Sequence, residues 1–122
     1  MSLSNIETEQ QRFNICFEKA YWDKNQLIER RIVSAANRYK LKDGGTIVVP
    51  GTRHCSKDMA AVVDLILDKI VSRHTADQGF VDQFANYWTR EEALVIATRA
   101  GQINTVRKKS NPEHQLFSED LY

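Results

Sequence analysis

The residues best suited to chemistry form one short turn, Gly51-Thr52-Arg53-His54-Cys55-Ser56. A β-branched run precedes the turn and an apolar stripe follows it, which predicts a strand leading into a helix. The amides of such a turn point toward one spot, where the helix N-terminus adds partial positive charge. The guanidinium of Arg53 suits phosphate or carboxylate, and protonated His54 would add a donor. The residues assigned to this anion-binding corner are Gly51, Thr52, Arg53, His54 and Ser56.

The same turn admits other interpretations. Arg53 could pair with a carboxylate of the chain while His54 caps the backbone, in which case the turn is structural. Cys55 beside His54 suggests a thiol nucleophile, but neighbours in sequence rarely face each other, and no third residue that would orient the pair is evident. The three histidines share no ligand spacing. We therefore predict a protein that is not an enzyme, with no catalytic residues, no metal and no cofactor.

Aromatic residues are dense between positions 80 and 88, where four of nine residues are Phe, Tyr or Trp. Alternate members of a β-hairpin pack into the core by default. The density exceeds what so small a core requires, so that one or two rings could stack on a flat ligand such as a base. Basic residues of the loop near position 107 would matter only if that loop folds over the corner. The predicted ligand-binding residues beyond the turn are Phe80, Asn86, Trp88, Arg90 and Arg107.

The elements that would position these residues follow from hydrophobic periodicity. Residues 5–41 contain almost no helix breakers, and apolar residues recur there at three- and four-residue steps, which predicts one long helix or a helical pair. The run at 46–50 indicates a short strand buried on both faces. Further along, we predict a helix from Ser56 to Val71, two short strands at 80–88, a helix over 89–101 and a docked C-terminal segment at 116–122.

Composition bounds the class of protein. The chain has 122 residues, 42% of them hydrophobic, and a formal net charge of +1, which suits one small domain and does not suggest binding to long nucleic acid. No apolar run approaches the roughly 20 residues of a membrane span, and the first residues lack a signal-peptide pattern. The two cysteines show no pairing pattern, which favours a reducing compartment, the cytoplasm.

These observations predict a single α+β domain, residues 1–122. It would comprise a long N-terminal helix or helical pair, a small sheet of short strands and two further helices. The region 5–41 has more apolar positions as a helix than one small core can cover, so we predict that it mediates homo-oligomerisation. The region 46–122 would form the α+β core with the anion-binding corner and the C-terminal tail.

Five short motifs are distinctive in combination: Gly-x-Arg-His at 51–54, Gly-Phe-Val-Asp at 79–82, Arg-Glu-Glu-Ala at 90–93, Ala-Gly-Gln-Ile at 100–103 and Leu-Phe-Ser-Glu-Asp-Leu-Tyr at 116–122. They resemble those of a family of small proteins of tailed bacteriophages. In size and layout the chain is also similar to phage anti-Thoeris proteins, which sequester cyclic ADP-ribose isomers and, in some members, cyclic oligonucleotides.

The anti-Thoeris resemblance implies a homo-oligomer whose pockets lie between subunits and carry arginines and a base-stacking aromatic ring. Arg53, Phe80, Asn86 and Arg107 are the positions that could play those parts. The resulting hypothesis is a phage immune-evasion protein in the cytoplasm of the infected bacterium, which sequesters a nucleotide-derived defence signal without cleaving it. Two alternatives stay open: a module that binds a host protein through its N-terminal helix, and a nucleotide-processing enzyme.

Overall fold

A computed structural model describes residues 6–104, 109 and 113–122. The chain divides into two compact units. The terminal unit comprises Met1–Ile32 with Arg90–Tyr122, and the central unit comprises Val33–Thr89. Among the described residues, no helix has the length and apolar character that crossing a membrane requires. The elements in chain order are α1 (Glu9–Asn14), β1 (Phe17–Lys19), β2 (Leu27–Glu29), β3 (Ile32–Lys40), β4 (Thr46–Gly51), α2 (Lys57–Leu65), β5 (Asp77–Asp82), β6 (Tyr87–Thr89), α3 (Arg90–Arg99) and a 3-10 turn (Ser118–Asp120).

The central unit is built on a four-stranded sheet with the strand order β4-β3-β5-β6. Strands β3 and β4 are antiparallel, with Lys40 opposite Thr46, and β5 and β6 are antiparallel, with Phe80 opposite Trp88. Apolar side chains of the sheet and of α2 pack together and exclude water, which stabilises both. This buried cluster consists of Tyr39, Val49, Met59, Val63 and Ile70.

Helix α2 begins after Ser56, whose extended backbone makes it the N-cap, as the sequence predicts. It ends at Leu65, however, and not at Val71. The remaining apolar residues serve a different purpose, because Ile70 pairs with Leu41 as an antiparallel β-bridge. The apolar stripe therefore continues through the end of the helix into a segment that joins the sheet.

Gly79 allows β6 to approach β5 closely, and this predicts a large effect of a small substitution. A Cβ atom at Gly79 would overlap the carbonyl oxygen of Trp88 and lie 2.6 Å from Cζ of Tyr87. Because backbone must move to relieve the overlap, Gly79→Ala is expected to lower the free energy of unfolding by about 1–3 kcal/mol. Gly45→Ala is the matched control, since its nearest neighbour would be 3.5 Å away. Equal urea midpoints for the two variants would contradict this packing.

The terminal unit contains the two-stranded β1–β2 hairpin and the helices α1 and α3. In the hairpin, Phe17 stands opposite Glu29 and Lys19 stands opposite Leu27. Helix α3 buries one side, which includes Ala93, Ile96 and Ala97. The side chain of Gln102 then bonds the backbone of Ile32 twice, accepting from its N–H and donating to its C=O at 2.8 Å each. These contacts tie the residues after α3 to the start of β3.

The prediction of a long N-terminal helix or helical pair over residues 5–41 is wrong, and so is the α+β description built on it. Of its described residues, 6–41, only Glu9–Asn14 is helical, and the structure forms β1, β2 and β3 there. The three central residues of β3, at 35–37, are all buried, because this strand is an inner strand of the sheet. Ile32 and Tyr39 lie three and four residues from Ala35 and are buried too, which imitates helical spacing. Sheet packing outweighs the local helix propensity.

Candidate functional site

The predicted corner has the expected strand–turn–helix geometry, but its donors converge on Asp58. One carboxylate oxygen accepts from the amide and the hydroxyl of Thr52, at 2.8 and 2.7 Å. The other accepts from the hydroxyl of Ser56 and from the amide of Met59. The bonds from Ser56 and Thr52 hold the pKa of the Asp58 carboxyl far below its usual value. A carboxylate of the chain itself therefore takes up donors that we predicted for an anionic ligand.

His54 links the turn to β5. Its Nε2 atom donates to the carbonyl oxygen of Gly79 at 2.7 Å. The imidazole also meets the ring of Phe80 edge-on, with 5.1 Å between the ring centroids. Phe80 is 0% exposed, so its ring packs inside the central unit. These contacts give His54 and Phe80 structural roles in addition to the ligand-binding roles predicted for them.

Asp82, which the sequence analysis did not select, organises the β5–β6 turn. Its Oδ1 atom accepts from the amides of Phe84 and Asn86, at 2.8 and 3.0 Å. Its Oδ2 atom accepts from Nε1 of Trp88 at 2.8 Å and from the Asn86 side chain at 3.3 Å. Asp82 is 3% exposed. The sequence did contain a signal for this role, because the side chain of an aspartate at the start of a turn commonly accepts hydrogen bonds from the amides that follow it.

The two remaining predicted site residues are arginines. Arg90 lies in the terminal unit, where its Nη1 atom donates to the carbonyl oxygen of Leu116 at 2.7 Å. Its guanidinium lies 4.4 Å from the ring centroid of Phe117, and its own carbonyl oxygen accepts from the Leu116 amide. Arg90 thus holds the C-terminal segment, which docks on the terminal unit. Arg107 lies outside the described residues.

A cavity of about 650 Å³ lies in the terminal unit, between α1 and α3. Apolar and polar side chains share its wall, which is typical of small-molecule sites. The ring of Phe13 is 45% exposed, and it also contacts the ring of Phe17, with 4.9 Å between the centroids. We call this the α1–α3 cavity, and its lining residues are Glu9, Arg12, Phe13, Cys16, Leu94, Val95, Thr98 and Arg99.

Two arginines, Arg12 and Arg99, outnumber the one carboxylate of the lining, Glu9, so the α1–α3 cavity has a net positive charge. The guanidinium of Arg99 lies 4.9 and 5.0 Å from the ring centroids of Phe13 and Phe17, and its Nε lies 3.6 Å from a carboxylate oxygen of Glu29. The Nη1 atom of Arg12 donates to the carbonyl oxygen of Ile6 at 2.7 Å. A guanidinium carries five N–H donors. Both arginines are therefore held in place by contacts that leave most of their donors for a ligand.

Cys16 forms part of the wall of the α1–α3 cavity. Its side chain is 1% exposed, and its Sγ donates to the carbonyl oxygen of Arg12 at 3.2 Å. Burial raises the pKa of the Cys16 thiol, because desolvation disfavours the thiolate. The thiol is therefore neutral at pH 7 and acts as an apolar side chain.

A second cavity, of about 240 Å³, lies in the central unit next to the corner. Its volume is below the roughly 300–1,000 Å³ of usual ligand sites. One of its two basic lining residues, Arg73, is paired with Asp64 at 3.1 Å. Its lining residues are Tyr39, Cys55, Met59, Ala60, Val63, Arg73 and His74.

The structure does not bring the predicted site residues together at either cavity. None of the predicted residues within the described ranges lines either of the two. Within those ranges there is also no group of three or more His, Cys, Asp and Glu side chains that could hold a metal ion. The α1–α3 cavity is thus the better candidate site, although sequence reasoning missed it.

Comparison with known proteins gives a match to one protein family. Residues 31–122 match the family model described as the phage T4 y16D protein. The match covers the central unit together with α3 and the C-terminal segment. No curated protein and no solved structure matches the chain. The resemblance to a family of small phage proteins is confirmed at this level.

Proposed function

Since the chain belongs to the phage T4 y16D protein family, we propose that it is a viral binding protein that sequesters a nucleotide-derived defence signal of the infected bacterium. The observation that supports this function is the α1–α3 cavity. Its volume of about 650 Å³ is within the usual range for small-molecule sites. A ligand with a flat ring and negative charge matches its wall.

The chemistry of the wall matches the two parts of a nucleotide. The exposed part of the Phe13 ring and the guanidinium stacked on it offer a surface against which a base could pack. Arg12 and Arg99 offer planar guanidinium groups, which bind phosphate oxygens in pairs. Arg99 already stacks on Phe13 and Phe17. Because its position is set before binding, little conformational entropy is lost when the ligand enters.

The protonation of the wall favours capture over covalent chemistry. A nucleophilic cysteine must be a thiolate, whereas burial raises the pKa of Cys16. A covalent step through Cys16 is therefore disfavoured, which agrees with sequestration of an intact ligand. A nucleotide-processing enzyme would instead release product, and mass spectrometry of the recovered ligand separates these two functions.

The predicted corner remains a competing location for the same ligand. A phosphate there would have to displace the Asp58 carboxylate from the amide of Thr52 and the hydroxyl of Ser56. The arginine of the corner, Arg53, and the arginine of the cavity, Arg99, therefore provide a direct comparison. Each can be removed without changing the other site.

We expect Arg99→Ala to weaken nucleotide binding about ten- to a hundredfold, because a charge-assisted contact of about 1.5–3 kcal/mol is lost. Arg53→Ala should leave the affinity within about twofold, because Arg53 does not line the α1–α3 cavity. Titration calorimetry with cyclic ADP-ribose and a panel of cyclic nucleotides measures both. Thermal melts of the same preparations show whether Arg99→Ala remains folded.

Three results decide between the possibilities. Loss of affinity in Arg99→Ala alone supports the α1–α3 cavity. Loss of affinity in Arg53→Ala alone would show that the ligand binds at the predicted corner. If wild-type protein binds no member of the panel, the proposed nucleotide ligand is wrong. Arg99→Lys adds a further check, because a point charge should recover only part of what a planar guanidinium contributes.

A further inference from the structure

The turn of the β1–β2 hairpin carries apolar side chains that the chain leaves in solvent. Tyr21 is 94% exposed, Trp22 is 60% exposed and Leu27 is 57% exposed. The rings of Tyr21 and Trp22 contact each other edge-on, with 5.0 Å between their centroids. Isolated exposed apolar residues are ordinary, whereas a cluster of them marks an interaction surface. We call these three residues the aromatic tip.

The aromatic tip is held by bonds within its own turn. Nε1 of Trp22 donates to the side-chain oxygen of Gln26 at 2.9 Å. The amide of Asn25 donates to the Asp23 side chain, and the amide of Gln26 donates to the Asp23 carbonyl oxygen. The rings are therefore ordered before a partner arrives, which lowers the entropic cost of association.

We propose that the aromatic tip pairs with the aromatic tip of a second copy of this chain, which forms a two-fold symmetric dimer. In such an interface the same surface is used by both copies. This interaction surface is separate from the α1–α3 cavity and does not depend on the proposed nucleotide ligand. It also moves the oligomerisation predicted for residues 5–41 from a long helix, which the described part of that region does not form, to the hairpin within the same region.

Charge favours a second copy over a polyanion. The hairpin and its turn, residues 17–29, carry Lys19 and Lys24 against Glu18, Asp23 and Glu29. Glu18 is paired with Arg30 at 2.6 Å, and Glu29 lies 3.6 Å from Arg99. The turn itself carries one charge of each sign, Asp23 and Lys24, so two tips brought together face no excess of like charge. Binding to nucleic acid or to an anionic membrane requires an excess of positive charge, which this hairpin lacks.

The area is also adequate for a small dimer. A covered Tyr or Trp side chain contributes about 150–250 Å². Two copies of the aromatic tip would bury on the order of 1,000 Å² in total, which is about the lower bound for a specific interface. The aromatic rings would provide most of the binding energy, as they do at interface hot spots.

Light scattering on the full chain at micromolar concentration tests this dimer. We expect a mass of twice 14.1 kDa for the wild type, and 14.1 kDa for a variant that combines Tyr21→Ser with Trp22→Ser. Leu65→Ser is the matched control, because Leu65 is 81% exposed on α2 and lies outside the tip. It should remain dimeric. Circular dichroism verifies that all three proteins keep the same fold.

Tryptophan emission gives an independent measurement. Covering Trp22 in the dimer should shift emission to shorter wavelength, and dilution should reverse the shift. Trp22→Phe should abolish the change, since the remaining Trp88 is bonded to Asp82 in the central unit. A monomeric wild type would overturn the proposal, as would a double variant that stays dimeric. Binding of a monomer to anionic vesicles or single-stranded DNA would assign the tip to a different partner and also overturn it.

Discussion

Asp82→Ala is expected to lower the free energy of unfolding by about 3 kcal/mol or more. The buried Asp82 carboxylate accepts hydrogen bonds from Phe84, Asn86 and Trp88. Alanine offers no acceptor, so the amides of Phe84 and Asn86 and the indole N–H of Trp88 lose a charged partner in a turn that is partly buried. Hydrogen bonds to a charged group contribute about 1.5–3 kcal/mol each, so the loss of several of them together accounts for an effect of this size. A chain of this size should melt about 10 °C or more below the wild type.

Two further variants make this test specific to Asp82. Asp82→Asn keeps a side-chain oxygen for the amides of Phe84 and Asn86 but turns an N–H group toward Nε1 of Trp88, so its loss should be intermediate. Asp68→Ala removes a carboxylate from the exposed part of the central unit and should change stability by no more than about 0.5 kcal/mol. If Asp82→Ala and Asp68→Ala have the same melting temperature, the hydrogen bonds to Asp82 contribute little to the stability of the fold.

Phe80→Ala should be comparably destabilising, at about 3–5 kcal/mol, because it opens a cavity where the ring now packs. The ring is 0% exposed and contacts His54. Phe80→Leu keeps most of the buried volume and should cost less. Leu65→Ala, at an 81% exposed position, should leave stability within about 0.5 kcal/mol. Urea unfolding with a shared m-value measures all three.

The same Phe80 variants separate the packing role from the ligand-binding role predicted for this residue. If the ring only packs, nucleotide affinity per folded molecule should be unchanged in Phe80→Leu. If the ring stacks on a base, affinity should fall while the urea midpoint changes little. A fall in affinity with little change in the urea midpoint would indicate that the ligand binds in the central unit, and it would contradict binding in the α1–α3 cavity.

Local patterns were sufficient for several elements. The β-branched run at 46–49 predicted β4, the aromatic segment at 80–88 predicted β5 and β6, and the sequence after Thr89 predicted α3. The start of α2 after Ser56 was predicted in the same way. Such signals act over a few residues, so a pattern in one short segment contains them.

The candidate site is a different case, because no single segment contains it. Arg12 of α1 and Arg99 of α3 lie at opposite ends of the sequence, and only the folding of the terminal unit brings them to one cavity. At the predicted corner, a single segment contains every residue of the turn. The turn was recognised correctly, but Asp58, in the first turn of α2, accepts the hydrogen bonds of Thr52 and Ser56.

By resemblance, the motifs of the sequence identified the class of phage protein. Local patterns determined the strand-to-helix turn, β5, β6 and α3, because these depend on neighbouring residues. Tertiary structure alone decided that residues 32–40 form a strand, since helical and inner-strand burial look alike until the partner strands are known. Tertiary structure also decided which distant polar side chains and backbone groups contact each other. Hydrogen bonds between distant residues, such as those of Gln102 with Ile32, have no periodicity that a sequence could display.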